Sequence, residues 1–109
     1  MATTYKVLGQ SNPSATTATT LYTVPSATST VVSSISICNQ ASSAATYRIA
    51  VRPAGAALAA QHYIVYGATV PASDTTVLTL GLTLATTDVI TVYASSANLS
   101  FNAYGSELS

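Results

Sequence analysis

The chain has 109 residues, of which six are charged and 52 are Ala, Thr or Ser, and a chain of this length forms one domain that buries roughly 60–70% of its unfolded surface. Its three basic residues, Lys6, Arg48 and Arg52, are balanced by Asp74, Asp88 and Glu107, which argues against DNA or RNA and against anionic membrane surfaces as partners, since both are held by many basic contacts. The longest apolar run, Ala54 to Ala60, is far short of the ~20 residues that span a bilayer, the lone Cys38 allows no internal disulfide, and the opening residues lack the basic and apolar stretches of a signal peptide.

Seven Tyr and 18 Thr among many Val and Ile distinguish the chain from disordered sequences of equally low charge. These residue types pack well on a pleated sheet and lose rotamer freedom in a helix, so the composition predicts strands.

In chain order, Thr4 to Leu8 is the first short strand, followed by the turn formers Gly9 to Ser14, and residues 1–18 are expected to form an N-terminal edge strand or arm. Thr19 to Val24 is the second, stopped by Pro25. From Thr30 to Asn39 the alternation places Val31, Ile35 and Ile37 on one face and Val32, Ser34, Ser36 and Cys38 on the other. Cys38 is expected to be a small buried apolar residue. Thr46 to Arg52 repeats the pattern, with Tyr47, Ile49 and Val51 opposite Arg48, Ala50 and Arg52.

Ala54 to His62 suits a short helical turn, because Ala and Leu are good helix formers. Tyr63 to Tyr66 resumes an extended course, and Gly67 to Asp74 breaks it. Leu78, Leu80, Leu82 and Leu84 then recur at every second position, which selects a strand over a helix. Val89 to Tyr93 and Leu99 to Tyr104 complete the set. About eight strands at this spacing predict an all-β fold, a single antiparallel β-sandwich of jelly-roll-like form covering residues 1–109.

Little in the chain suggests catalysis. His62 is the only histidine, no Gly-x-Ser-x-Gly turn exposes a serine, and the acids are dispersed, so neither a nucleophile–base pair nor a zinc set is expected. No cofactor is expected. Asp74 and Asp88 stand where carboxylates accept backbone N–H groups in turns. Arg48 and Arg52 share one face of one strand about 13 Å apart at ~3.3 Å per residue, and arginine pairs bidentately with carboxylates. Tyr63 and Tyr66 flank Ile64-Val65 in a nearly uncharged stretch, and tyrosine is a frequent interface anchor. These four residues, Arg48, Arg52, Tyr63 and Tyr66, are the candidate partner-binding set.

Lys6-Val7-Leu8-Gly9-Gln10-Ser11, Thr20-Leu21-Tyr22-Thr23-Val24-Pro25, Tyr47 to Gly55 and Asp88-Val89-Ile90-Thr91-Val92-Tyr93-Ala94 resemble blocks in small virion structural proteins of tailed phages, especially those of cyanobacteria. The resemblance implies a non-enzymatic particle component assembled in the bacterial host cytoplasm. Its partners would be the major capsid protein or tail components. The implied roles are capsid decoration or cement, or a tail, baseplate or fibre-associated module with a part in host attachment. A homo-oligomer is implied as well, with a trimer as the form common among cement proteins of this size.

Overall fold

The computed structural model describes residues 2–109. Eight strands occur in order: β1 (Thr3–Ser11), β2 (Thr19–Thr23), β3 (Ser29–Asn39), β4 (Ala45–Arg52), β5 (Tyr63–Val70), β6 (Thr75–Leu84), β7 (Val89–Ala94) and β8 (Leu99–Leu108). They form two four-stranded sheets, ordered β1-β8-β3-β6 and β2-β7-β4-β5. Strand β1 pairs with β8, β2 with β7, β3 with β6 and β4 with β5, all antiparallel. The chain is thus one long antiparallel ribbon, folded back at the β4–β5 connection and rolled so that successive rungs fall alternately in the two sheets. Pairing of β3 with β8 and of β4 with β7 completes each sheet. This is a β-sandwich, as the strand count and spacing predict, and its strand order is that of a jelly roll.

Alternation drives the two sheets together. Ile35, Ile37, Phe101 and Ala103 of the first sheet face Tyr47, Ile49, Val92 and Ala94 of the second, all within the buried core. The Tyr47 and Phe101 rings meet edge to face with centroids 6.2 Å apart, bridging the sheets. A fully buried side chain of this size contributes about 1.5–3 kcal/mol, so a core of this kind holds the fold without cross-links.

Strand β3 departs from simple alternation. Thr30 and Val32 are buried as well as Ile35 and Ile37, while Val31 is turned outward. The cause is an inserted residue: Val32 pairs with Gly105 and Ser34 with Tyr104, leaving Ser33 without a counterpart on β8. The Ser33 hydroxyl donates to the Tyr104 carbonyl at 3.0 Å. At the same level β1 slips at Leu8, and β6 takes a left-handed residue at Gly81 (φ 78°). A row of bulges therefore crosses the whole sheet, and such bulges bend a strand and increase its twist. Gly105 lies against this row, where an added Cβ would collide with the Val31 carbonyl oxygen.

The same effect governs β5, which runs through Gly67 to Val70 and past the break expected there. Gly67 (φ 80°) and Ile64 are the extra residues, since Tyr47, Arg48, Ile49 and Ala50 pair with Ala68, Tyr66, Val65 and Tyr63. The Ala54–His62 segment forms two 3₁₀ turns, Pro53–Gly55 and Ala60–His62.

Candidate functional site

The two outer faces of the sandwich differ in chemistry. Side chains pointing out from β1-β8-β3-β6 include Tyr5, Val7, Val31, Val77 and Tyr104, all notably exposed, with Tyr5 at 84% and Val77 at 61%. Between them lie hydroxyls and amides, with Gln10 Nε2 donating to Asn102 Oδ1 at 2.7 Å. No charged side chain belongs to this face among the described residues. Lys6 and Glu107, the two charges of the sheet, point toward the second sheet at the rim and pair at 3.2 Å. Glu107 also accepts from the Tyr22 hydroxyl at 2.5 Å, and that hydroxyl is 2.8 Å from Thr30 Oγ1. The Tyr22 hydrogen bond, reinforced by Lys6, holds the Glu107 carboxyl below its ordinary range against a smaller opposing effect of burial. Burial, with Glu107 adding to it, raises the Tyr22 phenol to about 12.

The outer face of β2-β7-β4-β5 carries Arg48. Its direct cross-strand neighbours are Tyr66 on β5 and Tyr93 on β7, and its guanidinium carbon lies 4.2 Å from the centroid of each ring. Stacking over aromatic faces fixes the planar guanidinium while its N–H edge remains unspent. Arg48 makes no side-chain hydrogen bond or ion pair among the described residues. Tyr63 and Tyr66 are three apart and would point to opposite sides of a regular strand. The bulge at Ile64 returns Tyr63 to the outer face, and the two rings meet edge to face at 5.0 Å. Beside them Leu58, Ala59 and Ala60 complete an open groove of about 600 Å³.

Arg52 lies on the same face but is used internally. Its Nε donates to Thr91 Oγ1 at 3.0 Å and a terminal nitrogen to the Ala56 carbonyl at 3.0 Å, so it clamps the β4–β5 connection over the sheet. The structure therefore gathers Arg48, Tyr63 and Tyr66 into one site and gives Arg52 a supporting position beside it. Tyr93 completes the site from outside the candidate set, and its place two positions after Thr91 is the signal in the sequence that puts it on the same face.

The remaining polar residues are explained by local structure. Buried His62 accepts the Ala59 N–H at Nδ1 (3.1 Å) and fixes its own turn. Asp88 accepts the N–H groups of Ala54 and Ala85 at 2.8 and 2.9 Å, which are the turn contacts expected of it, and Asp74 accepts the Thr75 N–H at 2.8 Å. Cys38 is half-buried instead of fully buried, because it points away from the core beside Ile37. Asn39, the last residue of β3, is 1% exposed, its amide nitrogen within reach of the Ser43, Val70 and Pro71 carbonyls at 2.9–3.3 Å. Among the described residues no group of three or more His, Cys, Asp or Glu side chains is placed to hold a metal, and no helix is long and apolar enough to cross a membrane.

No family model, curated protein or solved structure matches this chain.

Proposed function

We propose that this protein is a non-enzymatic structural component of a tailed-phage particle, acting as a capsid decoration or cement protein. The observation that carries this reading is the outer face of β1-β8-β3-β6, a sheet surface bearing Tyr5, Val7, Val31, Val77 and Tyr104 with no charge among them. Ordinary soluble domains carry roughly a quarter charged residues and are kept apart in part by them. A neutral, partly apolar surface of this kind suits broad contact with another protein, and a jelly roll supplies a rigid plate on which to present it. A cement protein adds stability to a shell by binding the assembled form in preference to the free subunits.

Cryo-electron microscopy of the intact phage particle is the test. The expected result is copies arrayed regularly over the shell with the β1-β8-β3-β6 face against it. Copies confined to the tail would transfer the protein to the tail, baseplate or fibre apparatus. Its absence from particles would remove the virion reading altogether.

A further inference from the structure

Four of the six side-chain charges are satisfied within the chain: Lys6 with Glu107, Asp88 by two backbone N–H groups, and Arg52 by Thr91 and Ala56. Arg48 and Asp74 remain. Arg48 has its position set by two tyrosine rings and no acceptor among the described residues. Asp74 uses one carboxylate oxygen on its own turn and has no cation beside it among the described residues. The two leftover charges have opposite sign, and they lie on different parts of the molecule, one on a sheet face and one in the β5–β6 turn.

The turn is built to present its carboxylate. Pro71, Ala72, Ser73 and Asp74 are all exposed, yet the backbone is tied down on several sides. The Asp74 carbonyl accepts the Asn39 N–H at 2.8 Å and the Ser73 N–H donates to the Ala41 carbonyl at 3.0 Å, while buried Asn39 reaches the carbonyls of Val70 and Pro71. A held turn loses little conformational freedom on docking. Its profile is a small apolar ridge, Pro71-Ala72, next to one carboxylate. The site around Arg48 has the complementary form: an open groove lined by Leu58, Ala59, Ala60, Tyr63 and Tyr66 next to one unspent guanidinium.

The geometry points to a second copy of this chain as the occupant of the groove, with Pro71-Ala72 seated against Tyr63 and Tyr66 and Asp74 paired to Arg48. Because the two patches differ, the contact is heterologous, and repetition of it closes into a ring or extends as a filament. An exposed ion pair alone contributes at most about 1 kcal/mol, so the aromatic and aliphatic walls of the groove supply much of the contact. This inference concerns how copies meet and does not depend on where the protein sits on a particle.

Sedimentation equilibrium of the purified full chain, carried to about 1 mM, the weak end of measurable association, tests it. The parent is expected to exceed its 11.0 kDa monomer mass as concentration rises, and less so at high salt. D74R and R48E each place like charges in the contact and should weaken association about tenfold or more. The two variants mixed in equal amounts should associate again in alternation, because the groove of D74R and the turn of R48E keep the native charges and the reverse contact has them exchanged. D74R gives up the exposed Thr75 N–H contact but leaves the backbone ties of the turn in place, so its result stands even if R48E disturbs the tyrosine stack and is set aside on its circular dichroism. A parent that stays monomeric throughout, or a D74R chain that associates like the parent, overturns the inference. So does a mixture of two folded variants that remains monomeric.

Discussion

The outer faces of the two sheets are both poor in charge, the first with none among the described residues and the second with Arg48 and Arg52, but they organise their side chains differently. On β1-β8-β3-β6 the exposed Tyr5, Val7, Val31 and Val77 make no side-chain hydrogen bonds among the described residues, and what is tightly constrained there is the backbone, at the bulge row and at Gly105. On β2-β7-β4-β5 the backbone bulges instead arrange side chains, bringing Tyr63, Tyr66 and Tyr93 around one arginine. One face is suited to broad, unspecific area and the other to a single oriented contact. A neutral composition can therefore encode either kind of surface, depending on where the extra residues fall in the strands.

The largest effect that would break this contrast is Gly105→Val. If the first sheet is limited by the backbone, the added side chain must push β8 away from Val31, destabilising the fold by about 3 kcal/mol or more in urea titration. Stability equal to the parent would remove that limit. On the second face, Arg48→Met keeps the apolar stem and deletes the cation held between two rings, with an expected loss of about 1 kcal/mol. Loss of nothing measurable would mean that stacking does not fix the guanidinium.

The rim network joining the sheets predicts a comparable effect with a defined pH dependence. Glu107→Gln should cost about 1 kcal/mol at neutral pH by weakening its bonds to Tyr22 and Lys6. The folded state holds the Glu107 pKa below its unfolded value, so the parent's advantage is complete above the unfolded carboxylate range and is lost as pH falls through the folded value. Tyr22 acts in the opposite sense. Its pKa is raised from 10.0 to about 12, so its contribution is full below pH 10 and is lost as pH rises toward 12. Thermal midpoints of parent and variant that differ equally at pH 3 and pH 7 would contradict the Glu107 assignment. The smallest effect belongs to the first face: Tyr5→Ser should change stability by under about 0.5 kcal/mol, since Tyr5 is 84% exposed. A larger loss would show that this face has a structural duty after all.

All eight strands were legible because apolar residues recur at period two between Pro, Gly and Asn breaks. Rungs pairing β1 with β8 and β2 with β7 were not, since nothing local in Thr3–Ser11 specifies a partner 90 to 105 positions later. Bulges were the other blind spot. Alternation groups Val31 with Ile35 and Ile37 and puts Val32 on the opposite face, and one unpaired serine exchanges the two. For the same reason Tyr63 and Tyr66, spaced to face opposite ways, share a face, while Arg48 and Arg52, correctly placed together, were separated in role by a hydroxyl and a carbonyl that no sequence pattern reveals.

The rolled ribbon also has a simple topological consequence at its open end. Ala2 and Ser109 exchange both backbone hydrogen bonds, N–H to carbonyl in each direction at 2.6 and 2.9 Å, so the first and last described residues lie side by side at one corner. A short Gly/Ser bridge between them would turn the ribbon into a closed circle, and a new opening could then be cut in an exposed loop elsewhere in the circuit. Any segment fused to either end of the present chain emerges from that same corner, which makes the sandwich a one-sided mount.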